Sequence, residues 1–467
     1  MKTSHQIIAA LALLQTTTAV AQPAGEATIE AATNTAPAAE VDTAVAVEPA
    51  TTAAPTETVK PRKHKRHHVR MALELSAIFA VGHQWYWRDG GEPNRVDWQL
   101  GFGGDALKKK LTGFGDGWRF DGNEYNINAL GHPGFGTMTH FLARTNGYSV
   151  GESFLISTLA SGSWECLVEW AEYGSLNDLA MTSPAGIPLG ETAYQFIHHY
   201  REASYQFSTG VGSENGAAMA VVSARGDLNR IPMHGDGRFA AGQHVGFAAE
   251  LTGDHGMRGV EGGAKATLGG IYRNRTNSAL QLGVSTEFDY RNLKDRPERE
   301  WNQQAMMAIG PTLDVQLRRR DVTIDMGTDL YAEFALVKSQ AFAAWRADNQ
   351  AMKMRNVMQT WEQPYYYGGG VTVDPRINVS YRGYKVGGKV TASLFHSIDS
   401  GDRDAEMMTD NVHFRDTEAR GEAWMGYEMN KMSVTVDGRI NRKDGTVGGT
   451  SDSTTDHTVM ATVGYKL

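Results

Sequence analysis

The chain has 467 residues, of which 21% are charged and 41% belong to the hydrophobic set, and its formal net charge is −8 at pH 7. A single cysteine excludes a disulfide framework, and the acidic balance argues against a general nucleic-acid-binding protein. The negative mean hydropathy is not that of a multi-helix membrane protein.

The chain begins with the features of a secretory signal peptide. Lys2 and His5 form a short basic start, residues 7–14 are almost wholly apolar, and the Ala-Val-Ala of residues 19–21 offers a small-residue cleavage site. The apolar core is too short for a stable transmembrane anchor. We therefore interpret residues 1–21 as a signal peptide and expect an exported protein.

The next two segments predict a spacer and a boundary. Residues 22–60 are dominated by Ala, Thr and Pro and contain no aromatic residue, so they cannot bury enough apolar area to offset the entropy of ordering them. Residues 61–70 form a basic patch of Lys, Arg and His. Two interpretations of the patch stay open: contact with anionic lipid headgroups or another polyanion, or a solvated run before the domain at 71–467.

Alternating apolar and polar residues predict strands along much of residues 71–467. The first candidate strand begins at Met71 and continues to Val81. Clearer runs follow after residue 203, at 280–290, 313–317, 322–326, 385–394 and 458–467. The longer runs have about the 9–11 residues that a tilted strand needs to cross a bilayer, and their second face carries Asp, Glu, Gln, Lys or Arg.

We predict a mainly β fold, an outer-membrane-type antiparallel β-barrel of about 10–12 strands with an inserted three-helix block. A soluble sandwich would show the same alternation, but three features favour the barrel. The chain is expected to be exported, and the last strand runs to the final residue. Connections also alternate between tight turns at 382–383 and 430–431 and long loops at 399–417 and 441–457.

Residues 126–202 carry a helical pattern, with helices predicted at 136–146, 150–173 and 184–202. Polar side chains recur there at four-residue steps, which places them on one face of a helix. Buried charges are tolerated when they are paired and hydrogen-bonded, so we expect a polar network that holds the helices to each other or to the barrel. Its candidates are Arg144, Glu152, Glu165, Glu169, Asn177, Asp178 and Glu191.

Several short segments of this helical region resemble a known bacterial family. They are Asn128–Gly136, Ala143–Ser149, Glu152–Ser153, Ser163–Glu165, Glu169, Ser175–Asp178 and Gly186–Glu191. In order and spacing they are similar to the family named domain of unknown function 3943, over about residues 115–200. The resemblance implies an exported, envelope-associated protein with strands around this block, and it supplies no established activity.

Three functions stay open. We favour a barrel that serves envelope structure or the passage of a lipid or small solute, with the helical block as plug or cap. The second is a barrel enzyme, a hydrolase or acyl-modifying enzyme acting on envelope lipid. The third is a soluble periplasmic β-rich binding protein.

The enzyme hypothesis depends on five polar residues of the helical region. His132 or His140 would be the general base, Glu165 or Glu169 would orient it, and Arg144 would hold an anionic substrate. The chain lacks a G-x-S-x-G nucleophile elbow. These residues are therefore candidates, and the sequence predicts no firm catalytic residue.

The sequence predicts neither a cofactor nor a metal, since it contains no H-E-x-x-H and no C-x-x-C motif. The expected partners are outer-membrane lipid, the machinery that inserts barrels into the membrane, and a small-molecule or lipid ligand of unknown identity. Nucleic acid is not expected. The expected location is the outer membrane of a Gram-negative bacterium, with the periplasm as the alternative.

Overall fold

A computed structural model describes residues 65–86, 104–112, 117–121, 123, 125–201, 203–230, 240–253, 258–275, 277–293, 302–349, 357–358, 365–398 and 413–467. The predicted signal peptide, the spacer and residues 61–64 of the basic patch lie outside these ranges. Within the described ranges, no helix is both long and apolar enough to cross a membrane.

Most of the helices precede the barrel in the chain. They are α1 (His68–Trp85), α2 (Gly104–Thr112), α3 (His132–Thr145), α4 (Val150–Leu167), α5 (Leu176–Gly186), α6 (Thr192–His198) and, between two barrel strands, α7 (Phe342–Asp348). π-Helical turns at Ile127–Gly131 and Ile187–Glu191 lead into α3 and α6. Two short parallel strands, β1 (Trp118–Arg119) and β2 (Gly174–Ser175), pair with each other. We call the described residues of 117–201 the helical block.

Twelve long strands form a closed antiparallel barrel. They are β3 (Ser204–Glu214), β4 (Ala217–Arg230), β5 (Ala240–Gly253), β6 (Arg258–Arg275), β7 (Ser278–Leu293), β8 (Asn302–Arg319), β9 (Val322–Val337), β11 (Tyr365–Tyr381), β12 (Tyr384–Ser397), β13 (Phe414–Met429), β14 (Met432–Val447) and β15 (Thr450–Lys466). Each pairs with its neighbour in the chain, β11 pairs with β9, and β15 pairs with β3 to close the ring. The two-residue strand β10 (Val357–Met358) adds only an edge pairing to β11. The predicted barrel is confirmed.

Contacts between distant strands identify the inward face of the barrel. Arg439 on β14 lies 2.7 Å from Glu250 on β5, and Arg291 on β7 is paired with Glu418 on β13. These strands are not neighbours in the ring, so their side chains meet only by crossing the lumen. Because successive side chains of a strand point to opposite faces, the residues that alternate with them point outward.

The outward face is apolar and exposed over much of the wall. Its exposed members include Leu282, Leu313, Leu330, Val371, Val390, Val434 and Val463. An apolar outer band around a polar lumen is the pattern of a membrane-spanning barrel, because lipid covers the band. The barrel is therefore of the outer-membrane type, an architecture consistent with channel-like transport.

The two ends of the barrel differ in their connections. Two-residue turns join β8 to β9, β11 to β12 and β13 to β14 at one end, which we call the turn end. Arg320, Arg382 and Asn430 have positive φ angles there, as tight hairpin turns with the twist of the strands require. The tight turns predicted at 382–383 and 430–431 are confirmed. The opposite end is called the loop end.

The helical block packs against the outside of the barrel wall. Phe288 and Tyr290 of β7 alternate with the lumen residue Arg291, so they point outward, and they contact the block residues Tyr125 and Met181. At a second contact, Phe196 of α6 packs on outward-facing side chains of β4, β5 and β6; these are Leu228, Val245 and Ala266. The described contacts therefore place the block beside the barrel wall, where the sequence analysis expected a plug or cap.

The strand predicted from Met71 to Val81 is wrong, because this segment is helix α1. Met71, Leu75 and Ile78 pack against α3 and α4, and the spacing i, i+4, i+7 is that of one helix face. Leu73 and Val81 lie on the exposed side of the helix. Apolar residues on both sides of α1 produced the apparent two-residue alternation.

Other predicted boundaries also shift. The long loop predicted at 441–457 is wrong, since β14 and β15 extend through this stretch and only Gly448 and Gly449 separate them. Both glycines have positive φ, which suits a tight turn. Polar residues on both faces of the strands above the apolar band hid the alternation. The last predicted helix, at 184–202, starts earlier, at Leu176, and is interrupted by a π-helical turn.

Close packing of α3 on α5 supplies the first test of this arrangement. A Cβ at Gly136 would lie 1.6 Å from the carbonyl oxygen of Thr182, so Gly136→Ala should destabilise the block by about 1–3 kcal/mol. The matched control is Gly162→Ala in α4, where a Cβ meets nothing within 4 Å; it should stabilise by about 0.5–1 kcal/mol through helix propensity. Urea-unfolding midpoints in detergent, followed by circular dichroism, measure both changes, and equal midpoints would contradict the packing.

Candidate functional site

Four segments of the helical block bring polar side chains, three of them acidic, close together. The parallel pairing of β1 with β2 places Asp121, just after β1, beside the start of α5. Ser175 caps α5 by accepting a hydrogen bond from the backbone N of Asp178 at 3.2 Å. His132 opens α3, and Glu165 lies in the last turn of α4. We call these five residues the carboxylate cluster.

The carboxylate cluster is hydrogen-bonded through Ser175 and lies close to the barrel. Ser175 donates from its backbone N to Glu165 Oε2 at 2.8 Å and from Oγ to Asp121 Oδ2 at 3.1 Å. Tyr367 on the outward face of β11 donates to Asp121 Oδ1 at 3.1 Å. His132 Nε2 lies 3.2 Å from Asp178 Oδ1. The cluster therefore sits where the block meets the wall.

Burial dominates the electrostatics of this cluster. Burial raises the pKa of Asp178, and the charge of Asp121 raises it further; the pKa of Glu165 is raised by burial and then by the charge of Asp178. The pKa of neighbouring Glu169 is raised to about 8, again by burial first. Burial also lowers the pKa of the His132 imidazole. Burial thus favours the protonated form of the carboxyl groups in this region.

A second cluster is centred on Glu191 and is called the Glu191 cluster. Arg144 Nε donates to Glu191 Oε2 at 2.7 Å, Gln195 Nε2 donates to Oε1 at 2.6 Å, and His140 Nε2 lies 3.4 Å from Oε2. Burial alone would raise the pKa of Glu191, but the hydrogen bond from His140 and the charge of Arg144 outweigh it and lower that pKa to about 2. Glu191 is therefore negatively charged at neutral pH and binds α3 through Arg144 and His140.

Of the remaining acidic candidates, Glu169 borders the carboxylate cluster and Glu152 lies apart from both centres. Glu169 accepts a hydrogen bond from Trp164 Nε1 at 3.0 Å at the edge of the carboxylate cluster. Glu152 forms a capping box with Ser149 at the start of α4 and pairs with Arg66 of the basic patch at 2.6 Å. The polar residues thus form two separate groups and a helix cap, where the sequence analysis expected one network.

No hydrogen bond or ion pair joins a predicted base to Glu165 or Glu169 among the described residues. His140 meets Glu191 instead of Glu165 or Glu169, and its side chain is fully buried. His132 meets Asp178. Among the described residues, no hydrogen bond joins either imidazole to a hydroxyl group.

Sequence reasoning missed Asp121 of the carboxylate cluster and Lys110 beside it. Asp121 comes before the predicted helical region, and no periodic pattern marks it. Lys110 of α2 is also buried, and its Nζ donates to the backbone oxygens of Glu165 and Glu169. In the sequence, Lys110 is the last of three consecutive lysines, a run typical of an exposed surface, and nothing else marks it as buried. In the described residues, the group with metal-ligand geometry is Asp121, His132 and Asp178.

Ion pairs make the lumen narrow. Besides the two pairs that identify the inward face, Arg420 on β13 is paired with Glu261 on β6, on the opposite side of the ring. Lys265 on β6 reaches Asp329 on β9 at 2.7 Å. At a level where one arginine and one glutamate connect opposite walls, the width of the lumen does not exceed the combined length of these two side chains.

Helix α7 packs inside the lumen at the loop end. Phe342 and Trp345 are buried in an apolar cluster with inward-facing side chains from six strands; these are Met306, Ala335, Val337, Tyr366, Phe395, Phe414 and Val447. The Phe342 and Phe414 ring centroids are 6.3 Å apart. Helix α7 follows β9 in the chain and contacts β14 and β15 across the mouth. The sequence analysis did not predict this helix.

Asp416 fixes the segment that leads into α7. Its Oδ1 accepts hydrogen bonds from Ser339 Oγ and from the backbone N of Gln340, both at 3.0 Å, and Oδ2 accepts one from Tyr366 at 2.9 Å. Because Asp416 lies on β13, these bonds tie the segment after β9 to a strand farther around the ring.

The Glu191 cluster gives a pH-dependent prediction. A folded-state pKa of about 2 lies below that of a free glutamate, so the contribution of Glu191 to stability is complete above about pH 4.5 and is lost as the pH falls towards 2. Glu191→Gln should destabilise the block by about 3–5 kcal/mol at neutral pH, because Arg144 loses its charged partner. The gap in urea midpoint between wild type and variant should narrow at about pH 3.

Glu152→Gln is the control for this prediction. Glutamine keeps the capping box, and Glu152 is exposed at the helix start, so this variant should keep a near-wild-type midpoint. A gap for Glu191→Gln that is the same at both pH values would contradict the assigned role.

Solved outer-membrane barrels show limited similarity to this chain. The NanC porin is 8% identical with a TM-score of 0.27, covering 56% of this chain and 100% of the porin. The translocator domain of autotransporter NalP from Neisseria meningitidis is 13% identical with a TM-score of 0.24, covering 56% and 86%. The KdgM porin is 11% identical with a TM-score of 0.21, covering 56% and 98%.

Sequence comparisons give one family match. No curated protein sequence matches the chain. Residues 117–222 match the family described as "Domain of unknown function (DUF3943)", which confirms the resemblance predicted from the segments of the helical region.

Proposed function

We propose that this protein is a channel in the outer membrane of a Gram-negative bacterium that admits small polar solutes through a narrow lumen closed by α7. The observation that carries the proposal is the position of Phe342 and Trp345, which lie inside the loop-end mouth and pack on side chains from six strands. A short helix held in the mouth of a polar lumen is suited to control passage.

The outer face of the barrel supports the membrane location. Large apolar side chains on neighbouring strands stay exposed, among them Leu330 at 55% and Val390 at 53%. A soluble periplasmic protein would leave this continuous apolar surface in water, which is unfavourable in proportion to its area. Lipid is therefore the partner that fits this face.

The lumen favours small polar solutes over large ones. Charges of both signs line it in pairs, for example Asp374 with Lys389 at 2.9 Å and Arg420 with Glu261. The cross-lumen ion pairs exclude large substrates.

The α7 contacts provide the test of the channel proposal. Phe342→Ala together with Trp345→Ala should loosen α7 and give a several-fold larger single-channel conductance in planar lipid bilayers, and Asp416→Ala should raise the open probability by releasing three hydrogen bonds. Met425→Ala, on the exposed outward face of β13, is the matched control and should conduct like the wild type.

Folding is checked separately from conduction. A closed barrel should migrate at a different apparent mass before and after heating in a detergent gel, and every variant should retain that shift. If heat-shifted, folded α7 and Asp416 variants conduct no more than the wild type, the channel proposal fails. A wild type that already conducts as a wide, open pore would also contradict the closed mouth.

A further inference from the structure

We propose that Asp121, His132 and Asp178 bind a divalent transition-metal ion, such as Zn²⁺ or Mn²⁺, at the junction between the helical block and the barrel wall. Each of the three offers one ligand atom, and these atoms all lie within 4.8 Å of one another. Bonds to such an ion are about 2.0–2.2 Å long, so small side-chain rotations bring all three into reach. The site is independent of the proposed channel.

The histidine is poised as a ligand and not as a hydrogen-bond donor. His132 Nε2 is inaccessible to solvent and has no hydrogen-bond partner among the described residues. It lies 3.2 Å from Asp178 Oδ1, but the alignment is not that of a hydrogen bond. This buried imidazole nitrogen lies beside two carboxylates, and no proton acceptor is aligned with it. Coordination of a metal ion would give it a bonding partner.

A second buried polar atom lies beside the site. Asn128 is almost fully buried (1% exposed), and its Oδ1 has no hydrogen-bond partner among the described residues. Its Nδ2 donates to Asp121 Oδ1 at 2.7 Å, so this amide borders the three ligands. Amide oxygens are ordinary ligands of divalent cations, and Asn128 is suited to complete the coordination shell.

The balance of charge around the site also calls for a cation. Asp121, Asp178 and Glu165 are each at most 3% exposed. Lys110, the buried ammonium nearby, donates to the backbone oxygens of Glu165 and Glu169. Buried carboxylates are stable only when they are neutralised or paired, and a divalent ion supplies two positive charges at this point.

Neighbouring groups hold the ligands in place. Ser175, Tyr367 and the Asn128 amide all donate to Asp121, and Asn177 Nδ2 donates to Asp178 Oδ1 at 3.0 Å. Partners of this kind orient metal ligands and raise affinity. One imidazole nitrogen with two carboxylates favours Zn²⁺ or Mn²⁺ over Ca²⁺ and Mg²⁺, which prefer oxygen ligands alone.

Metal content of the full-length chain tests the proposal. Protein purified in detergent and stripped with EDTA should take up one equivalent of Zn²⁺, measured by mass spectrometry of the metal after dialysis and by titration calorimetry. Asp178→Asn and His132→Gln should each weaken binding by about tenfold or more. Glu152→Gln, which changes an exposed carboxylate of the same block, should bind like the wild type.

A spectroscopic measurement on the wild type keeps the test independent of variant folding. Co²⁺ added to the stripped chain should give visible absorption bands of nitrogen–oxygen coordination, and Zn²⁺ should abolish them by competition. A folded wild type that binds neither ion would overturn the proposal and leave a cluster neutralised by protons. Binding that persists undiminished in heat-shifted Asp178→Asn and His132→Gln chains would also overturn it, and would place the metal elsewhere, such as on the histidines of the basic patch.

Discussion

Charged side chains on the inward faces of the strands neutralise one another across the lumen, and the rest of the structure depends on this pairing. Arg420 reaches Glu261 on the opposite wall, and Arg439 reaches Glu250. An inward charge without such a partner would have to be hydrated in a narrow space or protonated, at a cost of several kcal/mol. The pairing therefore sets which face of each strand points inward and leaves the apolar face to the membrane.

The inward-facing charges also exclude the helical block from the lumen. With opposite walls joined by ion pairs, no space is left there for four helices, and the block packs its apolar side on Phe288, Tyr290 and their neighbours outside. Of the helices that the structure describes, α7, with seven residues, is the one that enters the lumen, and it does so at the mouth. The cross-lumen ion pairs thus leave room for the short helix α7 inside the lumen, while the helical block lies outside.

The barrel was predictable from the sequence, because alternation along single strands reflects a local property of the chain. In the 280–290 run, apolar and polar residues alternate, and this order gives the outward and inward faces of the strand. The turn at 382–383 marks where one strand ends and the next begins. By contrast, α1 was misassigned, since Leu73 and Val81 are apolar residues on an exposed helix side. The loop predicted at 441–457 failed because lumen and outer residues are both polar near the loop end.

The candidate sites were only partly predictable, because they are tertiary. Glu165, Asp178 and Glu191 were among the predicted residues, and each lies in one of the two polar centres. Which residues share a centre could not be predicted from their spacing along the helices. Asp121 meets Asp178 through the pairing of β1 with β2, two strands of two residues each, which leave almost no trace in sequence. Helix α7 was missed for a similar reason, since Trp345 is buried by strands from the far side of the ring.

The attachment of the helical block to the outer wall has a consequence for the order of assembly. Asn128 bonds to Tyr367, 239 residues later in the chain, so the surface on which the block rests does not exist until β7 to β11 have been translated and paired. Until then the apolar side of the block has no native neighbour. The nascent chain must therefore either be shielded during that interval or complete its barrel before the helices can settle.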